Sequence, residues 1–134
     1  MGVVLGFLKK KGISVVAVSV LALTLGSLVA LASGYRPLSN YASASGNYVR
    51  VWAYVRGDAE LNEFGCLTGW IFNVWGTGGG FISSPASGRI SVSTPPAVVF
   101  DSARTVTVGE AYIDGRQVGY ARAEARIFAP SGAC

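Results

Sequence analysis

Two hydrophobic patterns divide the chain. From Ile13 to Ala32 no residue is charged, and nearly every position is aliphatic or small. Read as a helix, these residues reach about 30 Å at about 1.5 Å each, the thickness of a bilayer's hydrocarbon core. From Tyr48 onward the period changes to two. Val49, Val51, Ala53 and Val55 form one face of an expected strand, and Tyr48, Arg50, Trp52, Tyr54 and Arg56 form the other. The valine face reads as core. The aromatic and arginine face is too sticky for idle solvent, and it predicts either contact with a neighbouring subunit or cross-strand packing of half-exposed rings.

Further strands are expected over Thr68–Trp75, Phe81–Ser84, Arg89–Thr94, Ala97–Phe100, Arg104–Val108 and Glu110–Ile113. Asp114-Gly115 favours the type I′ turn whose twist matches a hairpin. The last strand spans about Val118 to Phe128, with Gly119, Ala121, Ala123, Ala125 and Ile127 on its inner face. Small residues there permit close approach of another layer. About seven short strands with frequent turn signals imply a β-sandwich of the immunoglobulin-like kind. Residues 33–47 are rich in Ser, Gly and Ala and lack a sustained period, so they read as a linker or a weak extended segment. The expected class is α+β: a basic leader at 1–12, a long apolar helix at 13–32, a linker at 33–47 and an all-β sandwich at 48–134.

Charge refines the picture. The net charge of +4 arises mainly from Lys9, Lys10 and Lys11, which directly precede the apolar run. Basic residues stay on the cytoplasmic side, which sends the remainder outward. Beyond the lysines, arginines and acids nearly balance, and the arginines are scattered singly rather than gathered into the basic face that a nucleic-acid protein needs. Histidine is absent, and Arg replaces Lys in the body, a bias that fits a chain built for heat. Cys66 and Cys134 most simply form one disulfide in an exported protein, with two buried free thiols as the alternative.

Lys11-Gly12-Ile13, ending a short basic leader and opening an unbroken apolar stretch, resembles the class III signal of archaeal type IV pilins. The resemblance covers about 24 residues. It implies cleavage by a prepilin peptidase between Gly12 and Ile13, retention of the apolar helix, and assembly of that helix into a filament core. Bacterial type IV pilins carry a glutamate five residues after the cut, where this chain has Ala17, so the likeness is to the archaeal branch. Ala17, Ala22 and Gly26 belong to a small-residue stripe that would let helices pack closely. Two other fates remain open. Ala30-Leu31-Ala32 before Ser33 supplies a secretory cut site, and the run could stay as an uncut anchor.

Catalytic sets are missing from the sequence, since no Cys-His or Ser-His-Asp group can form without histidine. Asp58, Glu60, Asn62 and Glu63 have oxygen ligands at a spacing that could hold Ca²⁺, but they lack a full loop pattern and read first as a solvated turn. Gly76-Thr77-Gly78-Gly79-Gly80 lacks the Gly-Lys-Ser/Thr ending of a phosphate loop and reads as a hairpin loop. No catalytic, metal or cofactor residues are therefore assigned. The expected function is a structural subunit of an extracellular filament for adhesion or surface attachment, membrane-inserted before assembly and partnered by copies of itself. The alternative is a secreted or membrane-anchored binding module, including one that donates Ser33–Asn47 as a strand to the next copy.

Overall fold

A computed structural model describes residues 34–134 of the chain. These residues are all-β. Seven strands, β1 (Gly34–Gly46), β2 (Val49–Leu61), β3 (Leu67–Ile82), β4 (Ser87–Ser93), β5 (Val99–Phe100), β6 (Ser102–Ile113) and β7 (Arg116–Phe128), form two sheets. The first sheet has the order β1-β2-β3-β5 and the second β4-β6-β7. The expected α+β class is therefore corrected: two antiparallel sheets account for the described residues, and no helix occurs among them. The helix expected over Ile13–Ala32 lies outside the described residues, as do Lys11, Gly12, Ala17, Ala22 and Gly26.

The sandwich follows from the alternation. Val49, Val51, Ala53 and Val55 are buried on β2, and Ala121, Ala123, Ala125 and Ile127 are buried on β7. Two inner faces dominated by alanine and valine let the sheets approach closely, and Ile71 is the largest side chain wholly inside. The strand order departs from the immunoglobulin pattern. There the first, second, fourth and fifth strands share a sheet, whereas here β1, β2 and β3 follow one another directly and β4 crosses to the second sheet. The Asp114-Gly115 hairpin forms as expected, with φ of 51° and 77° at its two residues, the left-handed pair that a type I′ turn requires.

Three local readings change. Residues 34–46, expected as a linker or a weak extended segment, form the full strand β1; only Gly34, Leu38, Ala42 and Ala44 turn partly inward, so the strand owes its order to pairing with β2 rather than to an apolar face of its own. The glycine-rich stretch, expected as a hairpin loop, lies inside β3, with Gly76, Gly78 and Gly80 opposite Val55, Ala53 and Val51. The reason is steric. A Cβ on Gly76 would fall 1.7 Å from Thr105 Oγ1, and one on Gly78 would fall 2.0 Å from Thr107 Oγ1. Only glycine admits these buried threonines. Likewise Gly109, which separates two expected strands, lies within β6, its missing side chain replaced by Val49, Val51 and Ile90 packed against it.

Candidate functional site

Alternation that buries one face of β2 and β3 necessarily presents the other. On β2 that face carries Arg50, Trp52, Tyr54 and Arg56. On β3, Trp70 and Phe72 share it, and the irregular pairing between Arg56 and Asp58, with Asn73 at φ 54°, resets the phase so that Trp75 and Phe81 point the same way. The rings touch in pairs across strands. Tyr41 of β1 stacks on Trp52, with centroids 6.5 Å apart and planes 19° from parallel. Tyr54 meets Trp75 at 5.7 Å, Tyr35 meets Phe72 edge-on at 6.0 Å, and Trp70 meets Phe100 of β5 edge-on at 5.1 Å. Nine aromatic side chains thus pave the outer face of the first sheet. Burial does not remove them from water: Tyr41, Phe81 and Phe100 remain more than half exposed, and Trp75 is 48% exposed. Contiguous apolar cover of this extent is uncommon on the surface of monomeric proteins. Arg50 and Arg56 stand among the rings, and Tyr41, Arg50, Trp52 and Phe81 border a shallow depression.

The outer face of the second sheet carries a network of ion pairs, beside which Tyr120 and Phe128 of β7 are also exposed, 48% and 60%. Glu124 of β7 receives Arg122 at 3.0 Å, Arg104 of β6 at 3.5 Å, and the guanidinium of Arg126. The hydrogen bond from Arg126, with those of its neighbours, holds the Glu124 carboxyl well below the usual carboxylate range, at about 2. Arg89 pairs with Glu110 at 3.3 Å, and the Tyr112 hydroxyl donates to the same carboxylate, which raises its pKa.

The cysteines expected to pair do so. Cys66, in the β2–β3 connection, is bonded to Cys134, 68 positions away in sequence, with the Cα atoms 4.2 Å apart. The tail is also hydrogen-bonded: Leu67 N–H donates to the Ala133 carbonyl and Gly132 N–H to the Leu67 carbonyl, both at 2.7 Å. In the chain-entropy model a loop of this length stabilises by about 4 kcal/mol.

The acidic cluster does not converge. Asp58 accepts from the Asn73 amide at 3.2 Å and Glu60 from the Thr68 hydroxyl at 2.9 Å. Asn62 Oδ1 accepts from the N–H groups of Phe64 and Cys66, closing the turn that presents the disulfide. Among the described residues no three His, Cys, Asp or Glu side chains are grouped for a metal ion. Sequence reasoning found the aromatic half of β2 but missed the contributions of β1, β3 and β5. Trp70 and Phe72, two positions apart, carried the signal; the phase change at Asn73 hid its continuation. Comparison with protein-family models, curated proteins and solved structures found no match for this chain.

Proposed function

We propose that this chain is the structural subunit of an extracellular filament, exported through its basic leader and apolar segment and assembled from copies of itself. The observation that carries the reading is the aromatic outer face of the first sheet. A face with nine rings loses apolar surface to water only by docking, and aromatic residues with arginine are the side chains that dominate protein interfaces. The disulfide and the hydrogen-bonded tail support it, because an exported subunit must hold a modest core together outside the cell. In this reading a prepilin peptidase cuts between Gly12 and Ile13, and the charge-free residues 13–32 are buried among subunits once they leave the membrane. They form too large an apolar surface to stand in water.

Two measurements test this. Mass analysis of surface material should show a chain beginning at Ile13, and electron microscopy should show filaments made of it. A chain that begins at Ser33 and stays monomeric would overturn the assignment. It would favour the second reading, a secreted binding module whose aromatic face takes a ligand; the near-parallel Tyr41–Trp52 stack is the feature that fits a flat ligand surface.

A further inference from the structure

Two open sheets have four edges, and an uncovered edge is a template for another strand. On one side of the sandwich β1 and β7 screen each other. The Asn40 side-chain amide donates to the Arg126 carbonyl at 2.8 Å. A Cβ on Gly46 would fall 2.2 Å from the Tyr120 carbonyl oxygen, and one on Gly119 would fall 1.7 Å from that of Asn47. On the opposite side, the edge of β3 is covered over its first part, where Val74 N–H donates to Ala97 and β5 pairs with Trp70 and Ile71. Its remaining part is mostly glycine, with few side chains for a partner strand to interlock with.

The fourth edge is β4, and no described residue covers it. Its seven positions pair with β6 in unbroken register from Ser87–Tyr112 to Ser93–Val106. The Glu110 carbonyl is directed at the Gly88 side of the strand, which makes Arg89–Glu110 a hydrogen-bonded pair. By alternation, Gly88, Ile90 and Val92 aim their N–H and C=O groups away from the domain. The usual protections are absent: β4 has no proline, no lysine and no bulge. Its one charge, Arg89, is already paired with Glu110. Val92 turns to the inner face yet is 39% exposed.

We propose that a second copy of this chain adds at this edge, β4 against β4, antiparallel about a two-fold axis at Ile90. The strand is complementary to itself in that register. The outward groups of Ile90 meet those of its own copy, and Gly88 of each strand faces Val92 of the other, a small residue against a large one. Each Arg89 lies opposite Ser91, so the two guanidinium groups are not face to face. The product is one continuous sheet in which two three-stranded sheets join. Such a contact closes after two copies, so it links two subunits without extending a polymer. It goes beyond the filament reading and stands without it, since it needs only the edge of the β domain.

Cross-linking of the full-length chain tests this. Ile90→Cys should give a disulfide-linked dimer on mild oxidation, while Arg116→Cys, exposed at the start of β7, should stay monomeric. Ile90→Pro removes the outward N–H, together with the side chain that packs over Gly109, and should weaken self-association at least about tenfold, with the β-sheet signal in circular dichroism retained. Val92→Lys places a charge at a site already open to water and should lower the Ile90→Cys dimer yield by a similar factor, which decides the matter should the proline variant fold poorly. Ile90→Cys dimers no more abundant than those of Arg116→Cys would overturn the proposal, as would undiminished dimer yield in Val92→Lys. Dimers are read on a non-reducing gel whether or not filaments form, so failure here is distinct from failure of the filament reading.

Discussion

The two outer faces of the sandwich differ in how they meet water. The face on β6 and β7 satisfies itself: Glu124 is gripped by three arginines, and Glu110 by Arg89 and Tyr112. Exposed ion pairs contribute little individually, but they keep this face wettable around its two exposed rings, Tyr120 and Phe128. The face on β1, β2, β3 and β5 is mainly aromatic, with Arg50 and Arg56 among its rings, and stacking leaves much of the ring area in water. One alternating pattern, applied to two sheets over a common alanine-rich core, thus yields one outer face dominated by ion pairs and one dominated by rings.

Substituting equal numbers of residues on each face is the harshest test of this difference. Trp52→Ser with Trp75→Ser should abolish assembly, since buried tryptophans at interfaces are worth on the order of 2–4 kcal/mol each. Arg122→Ser with Arg104→Ser should leave assembly intact. Electron microscopy beside a thermal melt reads both, and filaments surviving the tryptophan changes would remove the distinction between the faces.

The disulfide ties the turn between β2 and β3, in the aromatic sheet, to the tail that follows β7, in the charged one. Cys134→Ser should cost about 4 kcal/mol, a fall in Tm on the order of 20 °C for a domain of this size. A melt unchanged by the substitution would mean that the tail's hydrogen bonds to Leu67 hold the two sheets together without the bond.

How closely the faces approach is set by Gly78 against Thr107. Gly78→Ala should destabilise by roughly 1–3 kcal/mol through overpacking. Thr107 Oγ1 is buried with no hydrogen-bond partner among the described residues, so Thr107→Val should be neutral or stabilise by about 1 kcal/mol. Urea midpoints of the two single variants measure both, and a harmless Gly78→Ala would show that the sheets can separate without loss.

This contact also marks where the sequence stopped being legible. The valine face of β2, the alanine face of β7, the Asp114-Gly115 hairpin and the cysteine pair could all be read, because each rests on local alternation, local turn geometry or simple pairing. Gly76–Gly80 and Gly109 could not. Glycine punctuates a chain when read alone, and its use for close approach depends on a residue far away in sequence, here Thr105, Thr107 or Val49. β1 escaped for a related reason: its order comes from β2, and its own residues carry little apolar signal. Half of the aromatic face was legible on β2, while the remainder needed the register between β2 and β3, including the irregular step near Asp58.

The smallest expected effect belongs to the charged face and concerns acid. Glu124 titrates near 2 in the folded domain, below the value of about 4.3 for an unperturbed glutamate. A carboxyl whose pKa is depressed by folding binds its proton more readily in the unfolded chain, so protonation favours unfolding. The stability that Glu124 contributes is therefore fully present above about pH 4.3, declines as the pH falls, and is lost once the pH passes below about 2. Glu124→Gln removes that dependence and leaves the three arginines unneutralised at every pH. The variant should be slightly less stable than the parent at pH 7, and the difference should shrink between about pH 4 and pH 2. Urea midpoints at pH 7, 4 and 2.5 measure it, and added salt should narrow the gap at pH 7, since the group is partly open to solvent. A variant that loses as much stability as the parent between pH 4 and 2.5 would place the acid response elsewhere, and the Glu124 cluster would then be a wettable surface with no measurable part in holding the second sheet.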